Sequence, residues 1–419
     1  MRIKRAFIIS LIFVLSVVFL LNFNVQAQTP TLEELAERVQ VLENLVETLT
    51  NKLQGVTKND GDWTFTGGNV YIQNGSGQTD IIDENGKGNL IIGYNELRYE
   101  PGNDDRRGSH NLIIGRQNNY SSFGGLVVGY NNEISGEEAS VTGGSYNTAV
   151  GKGSSVTGGS FNTARSLYSS VNGGGENEAN GDYSSICGGN SNIADGESSS
   201  VSGGRANRAE GASSSVSGGN DNVASGSYSS ITGGFANVAE GDNASVTGGG
   251  RNSASEAGAS ISAGWDNEAN GFYSGISGGR NNTAGAMFSV VSAGRNNQAN
   301  RDYASISGGY RNFANGTGSS VSGGLDNSAN GNFSSVSGGR YGDALGHVSS
   351  VSGGYENVGR RYYSSVSGGR NNRAYSDYSS VSGGYQCDAS GDYSSVSGGR
   401  RRYTIDQYDW AAGNLLKDF

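Results

Sequence analysis

The sequence predicts an all-β chain: a parallel β-solenoid, or β-roll, with 15-residue coils, preceded by a short N-terminal coiled-coil helix and assembled as a trimer. Three observations predict it. From Val141 to Val396 a Val or Ile recurs every 15 residues, eighteen times without an insertion, and the residue three places on is Gly in all eighteen. The 419 residues include 71 Gly and only 2 Pro, with a hydrophobic fraction of 34% that is low for a packed globular core. Residues 31 to 56 carry an unbroken heptad. Small and polar residues at fixed positions separate this chain from a merely solvated one of similar composition.

Residues 1–27 read as an export leader. Arg2, Lys4 and Arg5 form a basic start, Ala6 to Leu21 an apolar run, and Val25-Gln26-Ala27 a small-residue site for cleavage between Ala27 and Gln28. The run is shorter than the roughly 20 residues a spanning helix needs. The expectation is a Sec-exported bacterial protein, secreted or at the cell surface, with no transmembrane anchor in the mature chain. Loss of the three leader cations moves the formal net charge from −10 to −13, which disfavours nucleic acid as a partner. Cys187 and Cys387 fall on coils about 60 Å apart at about 4.8 Å per coil, so they cannot pair within one straight chain.

The heptad places Leu32, Val39, Val46 and Leu53 at one seam position and Leu35, Leu42, Leu49 and Val56 at the other, with Thr31 and Glu34 as a capping box. Val at the first seam position and Leu at the second would alone lean towards a dimer. Arg38-Val39-Gln40-Val41-Leu42-Glu43 resembles the trimerisation motif of short coiled coils, which implies that Arg38 spans the seam to Glu43 of a neighbouring helix while its stem covers the apolar layer. Leu32, Leu35, Arg38, Val39, Leu42, Glu43, Val46, Leu49 and Leu53 are the expected trimerisation residues.

From 141 to 399 the unit reads Ser-Val-Ser-Gly-Gly-x-x-Asn-x-Ala-x-Gly-x-Tyr-Ser. Fifteen residues cannot hold a strand, a crossover helix and a return, so each coil is expected to be two very short strands joined by turns at Gly. Alternation sends the Val or Ile and the next Gly inward, the flanking Ser outward, and puts Asn and Ala on one face of the second strand. Asn stacked in register would bond to Asn above and below. An interior one Val and one Ala wide buries little, which is a physical reason to expect self-association. Residues 57–140 read as irregular opening coils, with richer strands at Asn89–Gly93, Asn111–Gly115 and Leu126–Gly129 and loops leaving the stack between them. Residues 400–419, with Tyr408, Trp410, Leu415, Leu416 and Phe419, read as a cap on the last open edge.

The unit resembles the head repeat of trimeric autotransporter adhesins of the YadA-like kind, over roughly residues 90 to 399. What the resemblance implies is a homotrimer of left-handed parallel β-rolls that adheres to matrix, cell surface or polysaccharide. The period here is one residue longer, Gly stands where the family has Ile, and the coiled coil precedes the roll. The stretch after the last repeat is too short for the family's trimeric membrane barrel, so the expectation is the head without that anchor.

Little in the sequence points to chemistry. His110 and His347 are far apart in the stack, no Gly-Lys-Ser/Thr follows a Gly-Gly pair, and Asp and Glu scatter over variable positions. Gly338-Gly339-Arg340-Tyr341-Gly342-Asp343 mimics a calcium-binding repeat once. The expectation is a non-enzyme with no cofactor and no metal: an exported adhesin-like fibre whose contact surface is the residues four and five places after each Val. The alternatives are an ice-binding solenoid using its Ser ladder, or a matrix or sheath protein.

Overall fold

The chain divides into two compact units, residues 1–71 and 72–419. The structure, a computed structural model, describes residues 30–80, 85–99, 104–413 and 415–417. The leader and its cleavage residues, Ala27 and Gln28, lie outside them.

In the first unit, α1 spans Leu32–Lys52. Thr31 is its N-cap: Glu34 N–H donates to Thr31 Oγ1 at 3.3 Å and Thr31 N–H donates to Glu34 Oε2 at 3.0 Å. The helix ends with Leu53 as C-cap, so the last heptad position, Val56, falls in a strand. That strand, β1 (Val56–Asn59), pairs antiparallel with β2 (Asp62–Phe65) through Asp60-Gly61, both at positive φ. β1 and β2 form a two-stranded sheet of their own.

The second unit is an all-β parallel solenoid of about 20 turns with coils of about 15 residues. Each coil is counted here from its Val or Ile as position 0. Positions −1 and 0 form the first ladder, as in Ser155↔Ser170 and Val156↔Val171. Positions 7 and 8 form the second, as in Thr163↔Glu178 and Ala164↔Ala179. Position 4 adds a third that sequence reasoning did not foresee, a row of single-residue parallel bridges running unbroken from Tyr130↔Ser145 to Tyr385↔Arg400.

Besides the Gly at position 3, each coil has two further residues with left-handed backbone. At position 5, Asp221 has φ 57°, and at position 12, Tyr228 has φ 59°. These two residues reverse the hydrogen-bond direction. Ladder N–H groups donate forward, as Ser215 does to Ser229 O, whereas Asp221 N–H donates back to Arg205 O at 3.0 Å and Tyr228 N–H back to Ala212 O at 2.8 Å. Backbone bonds therefore clamp every coil to both neighbours.

The interior is more polar than one Val and one Ala. The Val or Ile at position 0, Ala at 8, Asn at 6 and the residue at −2 are all buried. The Asn column does the polar work. Asn222 N–H donates to Asn207 Oδ1, its Nδ2 donates to Gly218 O at 3.0 Å and Gly234 O at 3.1 Å, and its Oδ1 accepts from Asn237 N–H at 3.0 Å. Most amides bond backbone carbonyls, and a few, such as Asn252 to Asn237, also bond amide to amide. The Gly at position 2 does not point inward as alternation predicts. The first strand is only two residues long, so the alternation stops at position 0, and a Cβ on Gly218 would meet nothing within 4 Å.

Position −2 is Ser or Ala, and the hydroxyls of Ser184, Ser199, Ser214 and Ser229 are buried without a partner among the protein atoms. Ala139, Ala244, Ala259 and Ala304 occupy the same place in other coils. Ser214→Ala should accordingly leave stability unchanged or raise it by up to about 1 kcal/mol in thermal unfolding. A loss larger than that would mean the hydroxyl is satisfied.

Part of the inserted stretch, residues 100–103, lies outside the described residues. On either side of it Arg98 donates to Gln117 O at 3.2 Å and Asn132 O at 3.2 Å and pairs with Glu133 at 3.1 Å, while Arg106 bonds Asn95 O, Glu96 O and Asp104. At the other end Trp410–Ala412 extends the first ladder, and Leu415–Lys417 turns back antiparallel on it, covering an open edge.

Candidate functional site

In a solenoid, side chains at one coil position form a column at about 4.8 Å intervals. Whatever the surface binds, it meets columns. Four are distinctive.

The first is the edge at positions 4 and 5, which the sequence singles out as the contact surface. The position-4 bridge holds its residues in register whatever their identity, because a single-residue bridge constrains backbone only. Towards the C-terminal end the column alternates Arg340, Tyr355, Arg370, Tyr385, Arg400. Arg370 lies over Tyr355 at 5.1 Å and Tyr385 at 5.9 Å, Arg400 over Tyr385 at 5.7 Å, and Arg340 over Tyr355 at 5.8 Å.

The second is the edge at position 12. Tyr363, Tyr378, Tyr393 and Tyr408 stack with ring centroids 4.9, 4.7 and 5.4 Å apart, and Tyr273, Phe288 and Tyr303 form a shorter run. All seven have left-handed backbone, a conformation that costs an ordinary side chain about 1–2 kcal/mol, and ring stacking offsets part of it. The repeat consensus contains this Tyr, yet its stacking is visible only once the corner geometry is known. Tyr378 is harder to ionise than a free tyrosine because its neighbours desolvate it. Beside this column, carboxylates at position 11 accept backbone N–H groups from the preceding coil, as Asp377 does from Tyr362 and Asp392 from Asp377, both at 3.2 Å.

The third is a groove of about 560 Å³ along the second ladder, lined by Tyr341, Asp343, Glu356, Arg373, Asp388 and Tyr403 among others. Burial holds the Asp343 carboxyl above its ordinary range; burial also raises Asp388, with Arg373 pulling it back down. The pair sits three coils apart, too far to share a proton or flank one bond. Among the described residues, no group of three or more His, Cys, Asp or Glu is placed to hold a metal ion.

The fourth is the outer face of the first ladder. Positions −1, 1 and 2 carry Ser, Thr, Gly and a few Asn, Cys, Ala or Val, with no charged residue in any of the eighteen coils. Apart from the all-Gly column at position 3, the other outward columns carry charges or rings.

On α1, Leu32, Leu35, Val39, Leu42, Val46 and Leu49 are exposed, as is Leu53 at its C-cap, and no residue of the helix is buried. Among the described residues, Arg38 and Glu43 have no ion-pair partner. Among the described residues no helix is long and apolar enough to cross a membrane.

No protein-family model matches the chain, and no curated protein matches it. The class that the geometry defines is thus a parallel β-solenoid repeat protein.

Proposed function

We propose that the chain is an exported, non-enzymatic, homotrimeric fibre of the adhesin-like kind, in which three solenoids pack their uncharged first-ladder faces together and present the edge columns outward to a surface ligand. The observation that carries the reading is the charge-free face. A column open to water accepts Arg, Glu or Tyr at little cost, as the neighbouring columns do, whereas a face closed against copies of itself would bury any such charge. The exposed seam of α1 supports the same stoichiometry-setting role for Leu35, Val39, Leu42, Val46 and Leu49, with Arg38 and Glu43 pairing between helices. The leader supports export to the cell surface or beyond.

The same flat Ser columns favour one alternative, an ice-binding face, since regularly spaced hydroxyls on a rigid solenoid can order water. Oligomeric mass separates the two. Light scattering on the leader-free chain should give about three times the mass of one chain, and Leu35→Asp with Leu42→Asp should reduce it. A stable monomer of the unaltered chain would overturn the trimer and leave the Ser face open to solvent.

A further inference from the structure

The alternating column at position 4 has a specific ligand chemistry. In Arg340, Tyr355, Arg370, Tyr385 and Arg400, each guanidinium carbon lies over a tyrosine ring of the column at 5.1 to 5.9 Å from the centroid, and Arg340 lies over Tyr341 as well, at 4.7 Å. A cation–π contact does not consume the five N–H donors, which lie in the guanidinium plane at its edge. Among the described residues, none of these three arginines is ion-paired; Arg340 donates one N–H to Tyr341 OH at 3.0 Å. The ladder also removes much of the rotamer freedom that an exposed Arg would lose on binding.

The result is three pre-oriented, unneutralised forks in line, each two coils from the next, about 9.6 Å at about 4.8 Å per coil. They stand on a chain whose net charge is −10, so the positive edge is local and not a general property of the surface. We propose that this column binds a linear acidic polysaccharide, a chain whose carboxylates or sulfates return to the same side on every second sugar. The two-coil repeat suits that geometry, because one sugar spans about one coil and a two-fold extended glycan presents alternate residues to one side. Each fork then meets an anion bidentately, while the tyrosine edges and hydroxyls between them face the intervening sugars. Single-stranded nucleic acid fits less well: its binding relies on open aromatic faces for base stacking, and here each ring already has an arginine of the column lying over it from either neighbouring coil. Glu356, beside Tyr355 at position 5, is the one carboxylate on this stretch of the edge and should oppose binding.

The proposal deepens the adhesin-like reading by naming its ligand class, but its test does not depend on oligomeric mass. Binding of the leader-free chain to immobilised polyuronate is compared with binding to a neutral glucan and to single-stranded oligo-dA. Expected are saturable polyuronate binding that weakens with salt, about tenfold or greater loss in the triple variant Arg340→Gln, Arg370→Gln, Arg400→Gln, and a gain in Glu356→Gln. A control variant removes the same charge elsewhere: Lys152→Gln, Arg165→Gln, Arg208→Gln. Equal loss in both triple variants, absence of polyuronate binding, or tighter binding of oligo-dA through the same arginines would each overturn the proposal. Unchanged circular dichroism and melting of the variants keep a folding defect from counting as support.

Discussion

Gly219→Ala should disrupt the solenoid around its coil, while Gly218→Ala, one residue earlier, should be close to neutral. Gly219 sits at position 3 with φ +90°, where a Cβ would lie 2.3 Å from Gly234 O of the next coil and 2.5 Å from Asn222 Nδ2. Neither neighbour can yield cheaply: one is ladder backbone and the other is held by three hydrogen bonds to carbonyls and amide. Left-handed strain of about 1–2 kcal/mol adds to overpacking of about 1–3 kcal/mol. Gly218 meets no such obstacle, and Ala263 and Ala293 already stand at its position in other coils. Because a solenoid is close to one-dimensional, the damage should concentrate near the altered coil. Hydrogen exchange should show lost protection around residues 205–235 in Gly219→Ala only, and limited proteolysis should cut there. Equal behaviour of the two variants would mean that the close coil-to-coil approach at position 3 is not what requires glycine.

This contrast explains which parts of the fold were legible. A position whose side chain touches the next coil leaves a strict residue type in the sequence. Gly at position 3 and Val or Ile at position 0 are of that kind, so period, parallel stacking and the first strand could be read directly. The Asn at position 6 was legible for the same reason. The position-4 ladder was not, because one backbone bridge per coil accepts Arg, Tyr, Trp, Gly or Ser equally. Position 2 misled: its glycine follows from the turn beside it and not from an inward-facing side chain, and strict alternation cannot describe a strand of two residues. The buried column at −2 was hidden by chemistry, since Ser is ordinarily a surface residue and here serves as a small one. The candidate contact edge at positions 4 and 5 was named from its variability. Its alternating Arg and Tyr stack emerges only when residues 15 apart are placed side by side.

The two corner columns also show how a chain with few large side chains stays ordered. The left-handed residues at positions 5 and 12 cost conformational energy, yet they turn the N–H groups back to the preceding coil. Their side chains then stack with the coils on either side, as in Tyr378 between Tyr363 and Tyr393. Outward aromatic columns therefore contribute to stability as well as to any contact surface, and Tyr substitutions on them would confound a binding test. That is why the arginines, whose forks face solvent, are the better probes of ligand binding.

Replacing one interior asparagine should cost more than any surface change, and supplying a missing one should do the reverse. In Asn222→Ala, Gly218 O and Gly234 O lose their amide donor and Asn237 N–H loses its acceptor, all in the interior. Each buried group left unpaired costs about 1–3 kcal/mol, so a loss of about 3 kcal/mol or more is expected, partly relieved if water enters. Asn222→Leu should be no better, because the stranded groups belong to the backbone and an apolar replacement cannot satisfy them. The column lacks Asn at Gly342, Cys387 and Arg402, and of these only Gly342 has no side chain at all. Gly342 N–H still donates to Asn327 Oδ1 at 2.9 Å, but Asn357 N–H meets no Oδ1 from the preceding coil as its counterparts do. A Cβ there would come within 3.1 Å of Asn327 Oδ1 and 3.3 Å of Val351 Cγ1, contacts that need the neighbours to give by only a few tenths of an ångström, against the overlap of about an ångström at Gly219. Gly342→Asn should therefore raise stability by about 1–2 kcal/mol through new hydrogen bonds and a stiffer unfolded chain. Slower exchange at Asn357 N–H would localise the gain. Opposite signs for Asn222→Ala and Gly342→Asn would establish the asparagine column as the element that joins coil to coil; a destabilising Gly342→Asn would show instead that the gap fits a local backbone that no asparagine can enter.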